Sequence, residues 1–289
     1  MREFITKVPI RKGWSGDEKY RLTDKTGENY LLRVTPRDKS GSRKEMFVLM
    51  EQVASLGVPM CHPLEYGECE EGVYTLISWV DGEDAETVIP TLSAEKQYAY
   101  GLEAGRILQT IHSIPAPDTQ EDWEPRFNRK IDSKIKMYEN CPLSYEGGQA
   151  FLDYIQENRH LLKNRPQRFQ HGDYHIGNMM ISTDGQLMII DFDRFDFGDP
   201  WEEFNRIVWC AQSSPLFASG MVNGYFDNAV PVELWHLLAL YIASNTLSSL
   251  PWAIPFGEEE VKVMQKQARQ VLQWYDHMRK IVPGWYAPL

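Results

Sequence analysis

Over the first ninety residues the apolar positions alternate with polar ones or gather in short β-branched and aromatic blocks, the spacing of extended chain. Glu18 to Leu22 and Asn29 to Val34 flank the turn Asp24-Lys25-Thr26-Gly27 and predict a hairpin. From Ser42 to Leu56 the spacing changes. Met46, Phe47, Leu49, Met50 and Val53 recur at helical intervals and Gly57-Val58-Pro59 stops the run, which predicts a helix. Leu64 to Gly67 and Val73 to Val80 return to strand character, and Asp81-Gly82 breaks it. The expectation is a small antiparallel five-stranded layer carrying one helix.

After Ser93 the helical period takes over. Ser93-Ala94-Glu95-Lys96 reads as a helix start, Leu102, Ile107, Leu108 and Ile111 give the buried stripe, and Pro115-Ala116-Pro117 ends it. Further helical patterns fall at about 127–139, 146–163, 201–212, 231–247 and 258–280. One β-like stretch interrupts them: Met179 to Ser182 and Leu187 to Ile190, joined by Thr183-Asp184-Gly185. The pattern therefore divides the chain into a β-rich part, residues 1–80, and a mainly helical part, residues 81–289.

Composition narrows the class. The chain has 289 residues, 43% of them hydrophobic, enough for a large core; no internal repeat or low-complexity tract breaks it. The start Met1-Arg2-Glu3-Phe4-Ile5-Thr6-Lys7 lacks the apolar run of a secretory signal, and Leu234 to Ala243 is short of the ~20 residues that cross a bilayer. A cytoplasmic protein with no membrane span is expected. Cys61, Cys69, Cys141 and Cys210 show no C-x-x-C pairing, so free thiols are expected. A net charge of −11 opposes nucleic-acid binding and suits a cationic partner, or simply keeps the protein soluble.

The chemistry is concentrated in His171-Gly172-Asp173-Tyr174-His175-Ile176-Gly177-Asn178, followed across the predicted hairpin by Ile190-Asp191-Phe192-Asp193 and by Gly198-Asp199-Pro200. Phosphoryl transfer needs a group that orients a hydroxyl and takes its proton, and oxygen ligands for a metal that neutralises the phosphate charge. Asp173 suits the base; Asn178 and Asp191 suit Mg²⁺, a hard cation. Each piece alone is compatible with an ordinary loop, whereas the ordered set is specific.

This arrangement resembles the aminoglycoside phosphotransferase family, small-molecule kinases similar to protein kinases and choline kinases, over nearly the whole chain. The resemblance implies an α+β, bilobal protein-kinase-like fold: a small antiparallel β-rich N-lobe with one helix that binds ATP or GTP, and a larger helical C-lobe that holds the acceptor. It implies Asp173 as catalytic base and Asn178 and Asp191 as metal ligands. Ser15 and Gly16, in Lys12-Gly13-Trp14-Ser15-Gly16-Asp17, stand where a loop covers the nucleotide phosphates. Arg33 stands where kinases place a lysine on the phosphates, with Glu45 as its expected helix partner; an arginine there is a departure. Ser78 and Val80 correspond to backbone contacts with the nucleobase.

For the acceptor, the family receives ammonium groups on acidic side chains, and the candidates are His175, Asp193 and Glu202, with Asp193 foremost. His175 has two readings, contact with phosphate or Asp173 and plain support of the loop. His171 reads as scaffold, Asp199 as the structural aspartate tying the catalytic loop to the following helix, and Glu203 as structural. Ser244 to Trp252 is either a pocket wall or a plain loop, and Glu258 to Glu260 suit a helix N-terminus. The function implied is transfer of the γ-phosphate to a hydroxyl of an aminoglycoside or similar aminated molecule. Choline, homoserine, thioribose and macrolide kinases share the motifs, and a non-catalytic nucleotide-binding role is the competing class.

Overall fold

A computed structural model of the chain describes residues 3–11 and 16–289. In chain order the first elements are β1 (Phe4–Ile10), β2 (Glu18–Asp24), β3 (Asn29–Pro36), α1 (Ser40–Ser55), β4 (Pro63–Cys69), β5 (Gly72–Ser78) and β6 (Gly82–Asp84). They are followed by α2 (Ala85–Val88), α3 (Ala94–Ile111), α4 (Trp123–Glu139), α5 (Gln149–Asn158), β7 (Arg168–Gln170), β8 (Met179–Ser182), β9 (Leu187–Ile189) and β10 (Asp196–Gly198). The chain closes with α6 (Ile207–Ser213), α7 (Pro215–Tyr225), α8 (Val232–Ala253) and α9 (Glu258–Trp274). Contacts divide them into two compact units. One holds the chain up to Ala85 with Asn178–Asp193, and the other holds Glu86–Gly177 with Arg194–Leu289.

In the first unit an antiparallel sheet runs β1-β2-β3-β5-β4. The predicted turn forms as expected: Gly27 takes φ +87°, and the Asp24 carboxylate accepts the Thr26 and Glu28 amides, a side-chain mimic of a turn. Leu22, Tyr30 and Leu76 bury on one face, while α1 packs on β3, β4 and β5 through Met46, Leu49, Met50 and Val53. The hairpin β8–β9 joins this unit, although the sequence pattern set it among the helices. Its partners explain why. β8 pairs with β6, and the Ile189 amide and carbonyl bond to Pro59 O (2.9 Å) and Cys61 N (3.2 Å).

The second unit is helical apart from the β7–β10 pair. Ser93 caps α3 as expected, accepting the Lys96 amide. α3 meets α7, a helix the apolar period did not reveal, at a contact built from Gly101 and Gly105 on one side and Gly220 and Gly224 on the other. A Cβ on Gly101 would run into the Phe217 carbonyl, and one on Gly105 into that of Met221, so the backbones touch where side chains cannot fit. α8 lies between α4, α5 and α9. Ser244 to Trp252 is not a loop but the last turns of α8, with Pro251 inside the helix. The segment Val232–Phe256 is long and apolar enough to cross a membrane by length and composition, yet two-thirds of that window is buried among the other helices. All four cysteines are free.

Candidate active site

The loop His171 to Asn178 begins directly after β7. Gly172 takes φ +83°, and a Cβ there would run into the carbonyl of Arg194, so the turn that presents Asp173 requires glycine. Glu203, fully buried, fixes the loop by accepting the Gly172 amide on both carboxylate oxygens (3.0 and 3.1 Å) and the Tyr174 amide (3.3 Å). Burial pushes its pKa up, but His112 and His171 and the Gly172 N–H outweigh that and hold it below the ordinary value. The tie expected of Asp199 therefore belongs to Glu203. Asp199, also fully buried, serves elsewhere: it accepts Arg165 at two nitrogens (2.6 and 3.0 Å), the Tyr241 hydroxyl (2.6 Å) and the Trp201 amide (3.0 Å). His171 is scaffold, its Nδ1 accepting the Asp173 amide at 3.3 Å.

Asp173 is faced by three cationic or polar groups: Arg206 Nε at 3.2 Å, His175 Nε2 at 3.8 Å and Arg194 Nε at 3.9 Å. Burial alone would raise the carboxyl. Arg206, His175, Arg194 and His171 outweigh it, and the pKa lies below the usual aspartate value. His175 is pushed down to about 4, chiefly by burial, so it is neutral near pH 7. Its Nδ1 accepts the Gly177 amide at 3.1 Å, which leaves the proton on Nε2, toward Asp173. Glu202 points to Lys130 (3.7 Å) and receives the Gln170 amide (3.3 Å). Lys134, one turn along α4 from Lys130, is half-buried and pushed down to about 7, first by burial and then by Lys130.

A second cluster lies in the first unit. Arg33, on central β3 and 4% exposed, meets Asp193, Asp191 (3.4 Å) and Asp17 (3.8 Å). Glu45 is not its partner. Glu45 is exposed, and α1 sends Arg43 instead, which pairs with Asp17 and with Asp193 at 2.6 Å. Asp193, the foremost acceptor candidate, is thus held by two arginines of its own chain. The backbone sets the two candidate metal ligands side by side: the Ile190 amide donates to the Asn178 carbonyl at 3.1 Å, and Asp191 takes the left-handed φ of +65°, uncommon for aspartate. Gly16 is exposed with open space around it, and Ser15 lies outside the described residues. Ser78 donates its amide to the His62 carbonyl at 2.8 Å, and Val80 follows just past the end of β5.

With this geometry in hand, the chain was compared with known families. The model of the phosphotransferase enzyme family matches residues 7–241. The chain belongs to that family. No curated protein matches its sequence. A thermostable mutant of the aminoglycoside phosphotransferase APH(4)-Ia is similar in fold, with a TM-score of 0.68 at 15% identity over 94% of this chain and 95% of the other. A choline/ethanolamine kinase family protein from Mesorhizobium loti (TM-score 0.65, 16% identity, 94% and 90% covered) is similar too. So is the amicoumacin kinase hAmiN, solved with AMP-PNP and Ca²⁺ (0.65, 14%, 95% and 90%). The five-stranded sheet and the helical remainder are those of the protein-kinase-like fold, and the enzyme is a phosphotransferase that acts on an alcohol group.

The donor set of this phosphotransferase fits Mg²⁺. Asn178 and the Asp191 carboxylate, 38% exposed, offer oxygen donors on neighbouring stretches of backbone, a partial donor set that suits a hard cation able to keep water and phosphate oxygens as its other partners. No group of three or more His, Cys, Asp and Glu suited to a metal occurs among the described residues, so a cage made by protein alone is not what this set builds. The residues that the sequence pattern did not single out are Asp17, Arg43, Lys130, Lys134, Arg194 and Arg206. All are charged side chains on ordinary helix or loop positions, and only the folded chain brings them to the motif residues.

Proposed function

We propose that this phosphotransferase moves the γ-phosphate of ATP, or of GTP, to a hydroxyl of a small molecule, with Asp173 as the base. The observation that carries this is a carboxylate largely removed from water yet kept ionised, on a loop pinned by Glu203. Such a group is available to accept a proton at neutral pH. The acceptor oxygen bonds to the γ-phosphorus as the bond from phosphorus to the β,γ-bridging oxygen breaks. The nucleoside diphosphate leaves, and the hydroxyl proton passes to Asp173 and then to solvent. Neutral His175 turns its Nε2 proton toward Asp173 and keeps the carboxylate oriented.

The nucleotide is assigned to the first unit. Arg33 takes the phosphates in exchange for its aspartates, with Ser15 and Gly16 in the covering loop. Ser78 and Val80 take the nucleobase by backbone contacts, although the Ser78 amide is itself committed to the His62 carbonyl. Asn178 and Asp191 would hold Mg²⁺, which supplies neutralisation of the charge that develops on the phosphate oxygens. ATP is favoured by the AMP-PNP bound to hAmiN and the ADP bound to an APH(4)-Ia mutant. The hygromycin B in that APH(4)-Ia complex speaks for an aminated acceptor, as the family resemblance does. Against it stand the pairing of Asp193 with Arg33 and Arg43 and of Glu202 with Lys130. A cytoplasmic enzyme with neither nucleic-acid nor membrane partner completes the reading.

The test is release of ADP or GDP from Mg-ATP or Mg-GTP against a panel of hydroxylic acceptors. Acceptor-dependent release that disappears in Asp173→Asn supports the reading. Binding of Mg-AMP-PNP with no acceptor-dependent release from any panel member would move the protein to the non-catalytic class.

A further inference from the structure

Arg33 and Arg43 converge on one carboxylate oxygen. Asp193 Oδ1 meets Arg33 Nη1 and lies 2.6 Å from Arg43 Nη1. Glu45, the expected partner of Arg33, is exposed, so α1 brings a second cation to β3 where an anion was expected. Other charged groups face the pair. Asp17 takes Arg43 Nη2 on its Oδ2, Asp191 lies 3.4 Å from Arg33 Nη2, and Lys19 stands opposite Arg33 in the β2–β3 register. Among the described residues Lys19, Arg33 and Arg43 are thus balanced by Asp17, Asp191 and Asp193.

The charge is balanced, but the hydrogen bonding is not. Each guanidinium is divided between carboxylates, Arg43 between Asp193 and Asp17 and Arg33 between Asp193 and Asp191, while Arg33 Nε and Asp17 Oδ1 are buried without a hydrogen bond. The side chains of Arg33 and Arg43 are 4% and 11% exposed, so salt and water screen them little. Two planar forks aimed from a strand and a helix at one oxygen suit a tetrahedral anion, whose several oxygens can take both forks at once. A side-chain carboxylate brings one charge and two oxygens to the same place.

We propose that Arg33 and Arg43 form a single seat for a phosphate group of the nucleotide and that the Asp193 carboxylate competes with that phosphate for it. This rests on the phosphotransferase reading above, adds Arg43 to the groups that contact the nucleotide, and gives Asp193 a sign opposite to that of a binding residue. Asp17, 1% exposed, keeps Arg43 aimed at the seat. Displacing Asp193 breaks its two ion pairs, and the incoming phosphate replaces both. The measured dissociation constant is the intrinsic one divided by the fraction of molecules in which the seat is free of Asp193. A pair closed in about 90–99% of molecules therefore weakens nucleotide binding about ten- to a hundredfold.

The experiment is calorimetric binding of AMP-PNP, inorganic tripolyphosphate and adenosine in EDTA, which takes metal at Asn178 and Asp191 out of the comparison. Asp193→Asn should tighten AMP-PNP and tripolyphosphate by about ten- to a hundredfold. Arg43→Met should weaken both by about tenfold or more, and Arg43→Lys, which keeps the charge and loses the fork, should fall between. Adenosine has no phosphate and should move less than about threefold in every variant. In the double variant the gain from Asp193→Asn should largely vanish, because the seat it frees has lost one fork. Asp193→Asn also leaves two buried guanidinium groups short of an anion, so its urea midpoint should be lower than the parent's and should rise more on adding tripolyphosphate. An Asp193→Asn protein that binds AMP-PNP no better than the parent overturns the proposal. So does Arg43→Met binding within about twofold of the parent, and so do changes of equal size for adenosine. Should Asp193→Asn fail to fold with tripolyphosphate present, the Arg43→Met result decides. If the parent protein binds neither AMP-PNP nor adenosine, with or without Mg²⁺, the nucleotide reading falls and this inference falls with it.

Discussion

Glu203→Ala removes, in one change, the acceptor for the Gly172 and Tyr174 amides. Both are N–H groups donating to a buried carboxylate, each worth about 1.5–3 kcal/mol when the acceptor is charged. Together they come to about 3–6 kcal/mol, a large part of the roughly 5–15 kcal/mol that holds an ordinary domain together. Glu203→Gln is the informative control. An amide oxygen in the place of Oε1 still reaches both N–H groups, so its expected cost is the lost charge, about 1–2 kcal/mol. Urea unfolding followed by tryptophan fluorescence measures both, provided the m-value is unchanged. An alanine variant within about 1 kcal/mol of the parent protein would refute the claim that Glu203 holds the loop.

The same carboxylate makes a pH prediction. Its pKa in the folded protein is lowered from 4.5, so the stabilisation is present above that value and is lost as the pH falls through the folded value. Stability of the parent protein should rise with pH across that acid window, and Glu203→Gln, with no proton to release, should show a shallower rise. Equal slopes would mean that Glu203 is not ionised differently in the two states.

Asp173→Asn should lower turnover by at least about a hundredfold with AMP-PNP binding kept within a few-fold; retained turnover would remove Asp173 from the mechanism. Arg206→Gln removes the largest of the charges that lower Asp173, so its carboxyl rises and the acid limb of the kcat/KM profile should move to higher pH; a stationary limb contradicts the electrostatic assignment. Asp191→Ala should weaken Mg-nucleotide binding as well as the rate, and a Mg²⁺ titration that superimposes on the parent's would take Asp191 out of the metal site. Gly105→Val would drive a side chain into the Met221 carbonyl and the Tyr225 amide, at a cost of about 1–3 kcal/mol or more in chemical denaturation; a neutral result would mean that α3 and α7 can separate freely.

What the sequence disclosed about the fold follows from which residues face water. The hairpin at Asp24 to Gly27, the cap at Ser93 and the strand pair around Thr183-Asp184-Gly185 are legible because turn chemistry is local. α7 was not, because Phe217 to Tyr225 is buried on every side and a helix without a polar face has no amphipathic period to detect. The end of α8 misled for a related reason. Its hydroxyls resemble a loop in sequence, but Thr246 donates to the Ile242 carbonyl and Ser248 and Ser249 to that of Asn245, so the helix satisfies them internally. The hairpin β8–β9 was seen and assigned to the wrong neighbourhood, since strand pairing with β6 and Met60 is a long-range fact.

The chemistry divides along the same line. Asp173, Asn178 and Asp191 could be read because their order along the chain is itself the signal. Partners could not. Glu45 was the expected neighbour of Arg33, yet the helix turns Arg43 toward it; Asp193 and Glu202 looked like sites for ammonium groups, yet each is already neutralised by a cation from a distant part of its own unit. A sequence gives the sign of a side chain and withholds its pairing. The field at a site depends on what is left over after pairing, and summed charge does not report that remainder. In this protein the sum is −11, yet the groups that face the Asp173 carboxylate are Arg206 and Arg194. A small ligand is held by the groups within a few ångströms, where screening has little effect, so it is the local remainder and not the total that should choose the acceptor.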